Sequence, residues 1–334
     1  MPYLSRGLMA QVMRAIRVSE FGGPEVLVLA KDVPIPKPGK CQVLIKVAAA
    51  GINPVDTYIR TGNQPVKAAL PYTPGLDVSG IVEELGEEVT KFKKGDHVYT
   101  VCTTSGGYAE YAVADEKTTF TLHDKLEFTQ GACVGVPYFT AYRALVIGGG
   151  ASPGKTVLVH GASGGVGLAA CQIAKNLGLQ VIGTASTAEG LHLVKENGAH
   201  HVFNHKEEGH QGKIKEATEG KGVDIILEMM ANVNLPADVM LCKKHCRIMV
   251  IGNRGDCEFN FSKLMTNETS VIGVKLMMTE GHEWEMMGSF MYAGMEQGWL
   301  KPVVHRKYDL KDAPQAHADI ISNPGCKGNL VLQI

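Results

Sequence analysis

Hydrophobic and polar positions alternate in short runs from Met13 to about Phe120. RAIRVSEF, VLVLAKDV and QVLIKVAAAGI carry alternating or continuous apolar stretches bounded by Gly or Pro, the pattern of short strands. GLDVSGIVEELG reads as a strand and turn, and KKGDHVYTV and GGYAEYAVA read as a turn followed by paired strands. VPIPKPGK places three prolines within five residues, which predicts a loop. Many short strands with Gly/Pro punctuation predict a barrel or sandwich.

Near Gly131 the period changes. TVLVHGAS predicts a strand, GGVGLAACQIAKNLG a helix ending at Gly178, QVIGTAS a strand, and TAEGLHLVKENG a helix. HHVFNH, VDIILEM, CRIMVIG and SVIGVKL are further β-rich runs, with helix-like segments such as LPADVMLCKKH between several of them. This alternation predicts a doubly wound parallel sheet with right-handed crossovers. EWEMMGSFMYAGMEQG then reads as a helix whose Met287, Met291 and Met295 recur every four residues, a stripe expected in the core or at a subunit contact. VVHRKYDL and GNLVLQI read as strands returning to the first domain. The expected organisation is an extension over 1–12, a discontinuous β-rich domain over 13–136 and 277–334, and an inserted Rossmann domain over 137–276.

Composition narrows the class. The 334 residues suit about two domains. With 33 Lys plus Arg against 34 Asp plus Glu, the net charge of -1 argues against a dedicated DNA or RNA binder. A hydrophobic content of 45% is that of a globular protein. No apolar run reaches the length of about 20 residues that a membrane span needs. The basic N-terminus has no acid before Glu20 and lacks the long apolar core of a secretory signal. The eight scattered cysteines fit reduced thiols, so a cytoplasmic location is expected. Cys242 and Cys246, with His245 between them, supply only half of a metal site.

The sharpest local signal is TVLVHGASGGVGLAACQIAKNLG. A buried strand runs straight into a glycine cluster and then a helix, with Ala162, Gly164 and Gly167 at the three fingerprint positions. Small residues there let backbone N–H groups approach a pyrophosphate, and the helix N-terminus adds its positive end. Ser163, Gly164, Gly165, Val166 and Gly167 are the candidate cofactor loop. The next strand ends in Ser186 and Thr187 with no acid at its tip, where a site for NAD would place one to accept from the ribose. Hydroxyls at that tip, with His205 and Lys206 after the third strand, favour a 2'-phosphate and hence NADPH.

These stretches, together with EFGGPEVL, GINPVDTYIRTG, LPYTPGLDVSG, SGGYAEYAV, VPYFTAYRAL and GMEQGWLKPV, resemble the medium-chain dehydrogenases/reductases. The resemblance is to their zinc-free quinone oxidoreductase branch, the zeta-crystallin type, and covers nearly the whole chain after residue 12. It implies an α/β fold in which a GroES-like catalytic domain carries an inserted Rossmann domain. Zinc relatives hold their metal with Cys, His and Cys; this chain has Asn53, Leu76 and Val136 at the matching positions, none of them a good zinc ligand. No metal is expected. The resemblance implies an NADPH:quinone reductase acting on orthoquinones, by one-electron steps to semiquinones or by two-electron hydride transfer, between which the sequence does not choose. It places Tyr58 and Asn53 beside the nicotinamide, each offering a donor to a carbonyl oxygen gaining charge. It adds Tyr58, Asn234 and Gly252 to the cofactor contacts, leaves Asp56 to orient Tyr58 or its loop, and implies a homo-oligomer, with the edge of SVIGVKL as a candidate contact.

Two other functions stay open. Relatives without zinc also reduce the double bond of 2-alkenals and enones. A crystallin-type structural role or binding of AU-rich RNA follows from family alone; Lys91–Lys94 and Lys243–His245 are the best local candidates for RNA, and solvated turns suit both runs better.

Overall fold

The computed structural model describes residues 11–64, 67–322 and 327–334. Residues 1–10 of the expected extension, and Cys326, lie outside the described residues. The chain opens with a hairpin of β1 (Val12–Arg17) and β2 (Val28–Pro34). Val33 and Pro34 still pair with β1, so the proline-rich loop starts later than expected; β2 lies at an edge, where proline is tolerated. β3 (Gln42–Ile52), α1 (Pro54–Arg60), β4 (Asp77–Leu85), β5 (His97–Val101), β6 (Tyr111–Asp115) and β7 (Thr119–Thr121) follow. The short α2 (Phe128–Gly131) and α3 (Gly135–Tyr142) lead into the second unit.

That unit alternates β8 (Thr156–Val159), α4 (Gly165–Asn176), β9 (Gln180–Ala185), α5 (Ala188–Glu196), β10 (His201–Asn204), α6 (His210–Ala217), β11 (Val223–Glu228), α7 (Ala231–Asp238), β12 (Cys242–Val250), α8 (Ser262–Thr266) and β13 (Ser270–Gly273). Its six strands are parallel in the order β10-β9-β8-β11-β12-β13. This is the doubly wound order that reverses between the first and fourth strands and opens a crevice at their C-terminal ends. After α9 (Gly281–Gln297), β14 (Val304–Asp309), α10 (Ala313–Ser322) and β15 (Asn329–Gln333) complete the chain. β15 pairs antiparallel with β3, and the first sheet runs β14-β15-β3-β4-β5-β7 with β6 also on β3. The GroES-like domain is thus closed by the chain's last strands.

One core joins the two units. Tyr99 and Val101 of β5 pack with Phe139 of α3, Leu168 and Ile173 of α4, and the α9 methionines. Met287, Met291 and Met295 are fully buried, so the methionine stripe is core. Phe139 stacks on Trp284 of α9 with ring centroids 5.7 Å apart.

The segment LPADVMLCKKH departs from its helical expectation. α7 ends at Asp238 and β12 begins at Cys242. Val223 faces Cys242 while Ile225 already faces Arg247, so the chain loops out between them and His245 takes φ +62. The excursion returns Cys246 beside Cys242, and both thiols are buried. His245 turns outward, 3.0 Å from Glu268.

Candidate active site

The glycine loop is shaped by close backbone approach. Ala162 N–H donates to Thr184 O (2.8 Å), tying the loop to β9, and Gly164 N–H donates to Gly161 O (3.1 Å) before α4 starts. A Cβ on Gly167 would lie 2.6 Å from both Ala162 Cα and Gly161 O, so only glycine lets α4 start this close to the β8 turn. A Cβ on Gly164 would meet only Gly161 O, at 3.5 Å, and would otherwise project into open space. That open cradle stands at the head of α4, whose first N–H groups have no intrahelical acceptor and whose dipole favours an anion. It fits a dinucleotide pyrophosphate.

The rest of the loop is pinned from outside the Rossmann unit. Ser163 is buried, and its carbonyl accepts from Gly328 N–H at 2.7 Å. A Cβ on Gly165 would fall 2.1 Å from Asn329 Oδ1. Val166 is half-buried and packs on the main core. No local periodicity signals this contact between β15 and the loop.

At the far end of the crevice, Asn204 pairs with Ala185 and His205 N–H donates to Ala185 O (3.1 Å). This brings together the strand tips that bear Ser186, Thr187, His205 and Lys206. Ser186 is half-buried and Lys206 is exposed. His205 is held below the usual histidine range by burial, with His160, His210 and Lys206 adding repulsion. Thr187 is engaged otherwise than expected: its Oγ1 accepts from Gly190 N–H at 3.0 Å as the α5 cap, and its hydroxyl bonds the Glu189 carboxylate. It is a capping residue first. Lys327, just before β15, sits 3.8 Å from Glu189 and offsets that acid.

At the acceptor end, Asn53 starts α1. Its backbone N–H donates to Asp56 Oδ2 (2.8 Å), and its side-chain Nδ2 donates to Asp77 Oδ2 (2.9 Å). Val136 N–H donates to the same Asp77 oxygen (2.8 Å). Asp77 therefore gathers two of the three positions that hold metal in zinc relatives, and one of the two Asn53 amide hydrogens is committed to it. Asp77 follows Leu76 in GLD, so its place in the Gly-Leu-Asp segment was the available signal. Burial pushes Asp77 up to about 8, with the charge of Asp56 adding to the rise. Burial likewise pushes Asp56 up to about 7. Asp56 accepts from Tyr108 Oη (3.3 Å) and has no bond to Tyr58, so it orients the loop through Asn53. Tyr108 Oη also meets His317 Nε2 (3.0 Å), and burial pushes His317 down to about 3. Tyr58 is half-buried, and its hydroxyl has no partner among the described residues.

Asn234, in α7, and Gly252, just after β12, both bond to Glu228 at the end of β11. Asn234 Nδ2 donates to Glu228 Oε1 at 3.1 Å. Gly252 N–H donates to Glu228 O at 3.1 Å, and a Cβ there would lie 2.3 Å from Met229 O. The basic runs are largely offset: Lys91 meets Glu285 at 3.4 Å, Lys94 meets Glu83 at 2.6 Å, and Lys243 meets Asp224 at 3.2 Å.

A GroES-like domain closed around an inserted Rossmann sheet, with a glycine loop at the switch point, defines a dehydrogenase or reductase of the medium-chain class. Residues 39–124 match the family described as alcohol dehydrogenase GroES-like domain, and residues 165–292 match the zinc-binding dehydrogenase family. The quinone oxidoreductase of Lama guanicoe is 53% identical over 322 residues, covering 96% of this chain and 98% of that protein. The human quinone oxidoreductase is 52% identical with the same coverage. The structure of Escherichia coli quinone oxidoreductase complexed with NADPH superposes with a TM-score of 0.87 at 29% identity, covering 96% of this chain and 100% of that one. The chain belongs to the quinone oxidoreductase family of zeta-crystallin type, within the medium-chain dehydrogenase/reductase superfamily. The zinc in the name of the second matched family does not fit the donor set, since Asn53, Leu76 and Val136 offer no thiolate or imidazole.

Proposed function

We propose that this protein is an NADPH-dependent reductase of quinones, orthoquinones in particular, that works without a metal. The observation that carries the reading is the open cradle at Gly164, backed by the strand-tip hydroxyl of Ser186, His205 and Lys206. NADPH, when bound, supplies a hydride. The chain's own residues then bind and position. Gly165 and Val166, at the head of α4, present backbone N–H groups to the pyrophosphate beside the open side of Gly164, and Ser186 with Lys206 meets the 2'-phosphate. Tyr58, with its unengaged hydroxyl, donates to a carbonyl oxygen gaining charge, and Asn53 adds its second amide hydrogen while Asp77 fixes its plane. An electron-poor acceptor needs no Lewis acid, so positioning suffices.

The edge strand β13, whose Val271 is 39% exposed, is the surface we propose for pairing between subunits. The binding test is Gly164→Val. The variant should keep the fold and lose NADPH affinity by at least about a hundredfold, because its side chain enters the cradle while its Cβ makes only an ordinary 3.5 Å contact with Gly161 O; unchanged affinity would remove the loop from the site. Electron spin resonance during turnover separates one-electron reduction, which gives a semiquinone signal, from two-electron reduction, which gives none.

A further inference from the structure

Beneath the glycine loop lies a polar cluster with no part in the chemistry above. His160 follows β8, Glu228 closes β11 and Asp238 closes α7; they are 5%, 0% and 1% exposed. His160 Nε2 lies 2.9 Å from Asp238 Oδ1 and 3.8 Å from Glu228 Oε2, and its Nδ1 lies 3.2 Å from Thr184 Oγ1. Glu228 Oε1 accepts from Met230 N–H and from Asn234 Nδ2. The remaining oxygens, Glu228 Oε2 and Asp238 Oδ2, have no partner unless one carboxyl carries a proton.

Burial forbids the alternative of two bare charges. Two carboxylates in contact in a low dielectric do not both ionise. A proton on either acid gives an O–H between the two, which satisfies both orphan oxygens at once. The same three residues could surround a divalent ion, but the 2.9 Å approach of His160 to Asp238 is a direct hydrogen bond.

We infer that Glu228 and Asp238 share one proton, buttressed by His160, and that this protonated pair is the positioning device that holds Met230 and Asn234 at the cofactor crevice. The inference rests on the reading of Asn234 as a cofactor contact. Burial pushes both acids up to about 7 and holds His160 below the usual range, which puts loss of the shared proton near neutral pH. Other titratable groups also face the cluster. His205 adjoins His160, while Cys246 feels the charge of both Asp238 and Asp224. Loss of the proton sets two negative charges against each other and loosens the hold on Asn234. The KM for NADPH therefore rises with pH.

Two readouts test this on the full-length protein. Infrared difference spectra, wild type minus Glu228→Gln, taken without cofactor so that the buried Asp56 and Asp77 common to both proteins cancel, should show a protonated-carboxyl band that fades as pH rises through about 7. Steady-state kinetics should show a wild-type KM for NADPH that climbs over the same range with little change in kcat. Glu228→Gln supplies an acceptor for Met230 and Asn234 and a permanent donor to Asp238, so its KM should stay low and flat with pH. Glu228→Ala should raise KM about tenfold at every pH. Absence of the band, or a stoichiometric divalent ion in elemental analysis, overturns the shared proton. A band with a pH-independent wild-type KM, or an unaltered KM in Glu228→Ala, overturns the positioning role. Failure of NADPH to bind at all would instead refute the cofactor reading, and the infrared band would still decide the proton.

Discussion

Gly167→Ala is the substitution whose effect the backbone specifies most tightly. Its new Cβ would stand 2.6 Å from Ala162 Cα and Gly161 O and 2.7 Å from Ala162 C. Carbon atoms pack best at about 3.5–4.0 Å, so roughly 1 Å of overlap must be relieved. No flexible side chain is involved; the start of α4 must lift away from β8. Overpacking of this kind costs about 1–3 kcal/mol, and each kcal/mol lowers the midpoint by roughly 2–4 °C at this domain size. A fall of about 5 °C is expected in scanning calorimetry, with NADPH affinity reduced at least about tenfold because the N–H cradle shifts. Gly164→Ala is the control: its Cβ makes ordinary contact at 3.5 Å, so cofactor-free stability should match the wild type. A Gly167→Ala protein with unaltered midpoint and NADPH affinity would refute the argument that close strand–helix approach builds the site.

Three further expectations follow from the site. Tyr58→Phe should lower kcat for the quinone about tenfold while the protein still binds NADPH, measured by stopped-flow absorbance. Lys327→Glu sets a second acid beside Glu189, and the ratio of NADPH to NADH affinity should drop about tenfold in calorimetric titration. Asp77 and Asp56 have folded-state values of about 8 and 7, above the ordinary 3.8. Such raised acids contribute stability that is full below about pH 4 and lost as pH rises through about 7–8. Asp77→Asn should flatten the fall in thermal midpoint between about pH 4 and about pH 8; an unchanged slope would show that Asp77 is not the titrating group.

What the sequence revealed of this fold is what neighbouring residues encode. The turn from Val159 through Gly164 into α4 is a local event, so spacing and residue size sufficed to place it. The alternation of strand and helix likewise identified a parallel sheet. The excursion between Cys242 and Arg247 defeated the same reasoning, because three extra residues break the two-residue period and a polar KKH run looks helical. Several of the site's supporting contacts are long-range. Asn53 reaches Asp77 across 24 positions, Asp77 reaches Val136 across 59, and β15 returns from the far end of the chain to hold Ser163. Family position pointed to Asn53 but not to its engagement with Asp77. Thr187 shows a role the strand-tip reading did not include: its hydroxyl oxygen caps α5.

The central claim is that this chain moves reducing equivalents from NADPH to a quinone with no metal. Oxidation of NADPH and of NADH by chelator-treated protein, with an orthoquinone and separately with a 2-alkenal, tests it most directly. Rapid turnover with NADPH and the quinone, unaffected by chelator and much slower with NADH, is the result expected. Turnover confined to the alkenal, or activity restored only by added zinc, would contradict it.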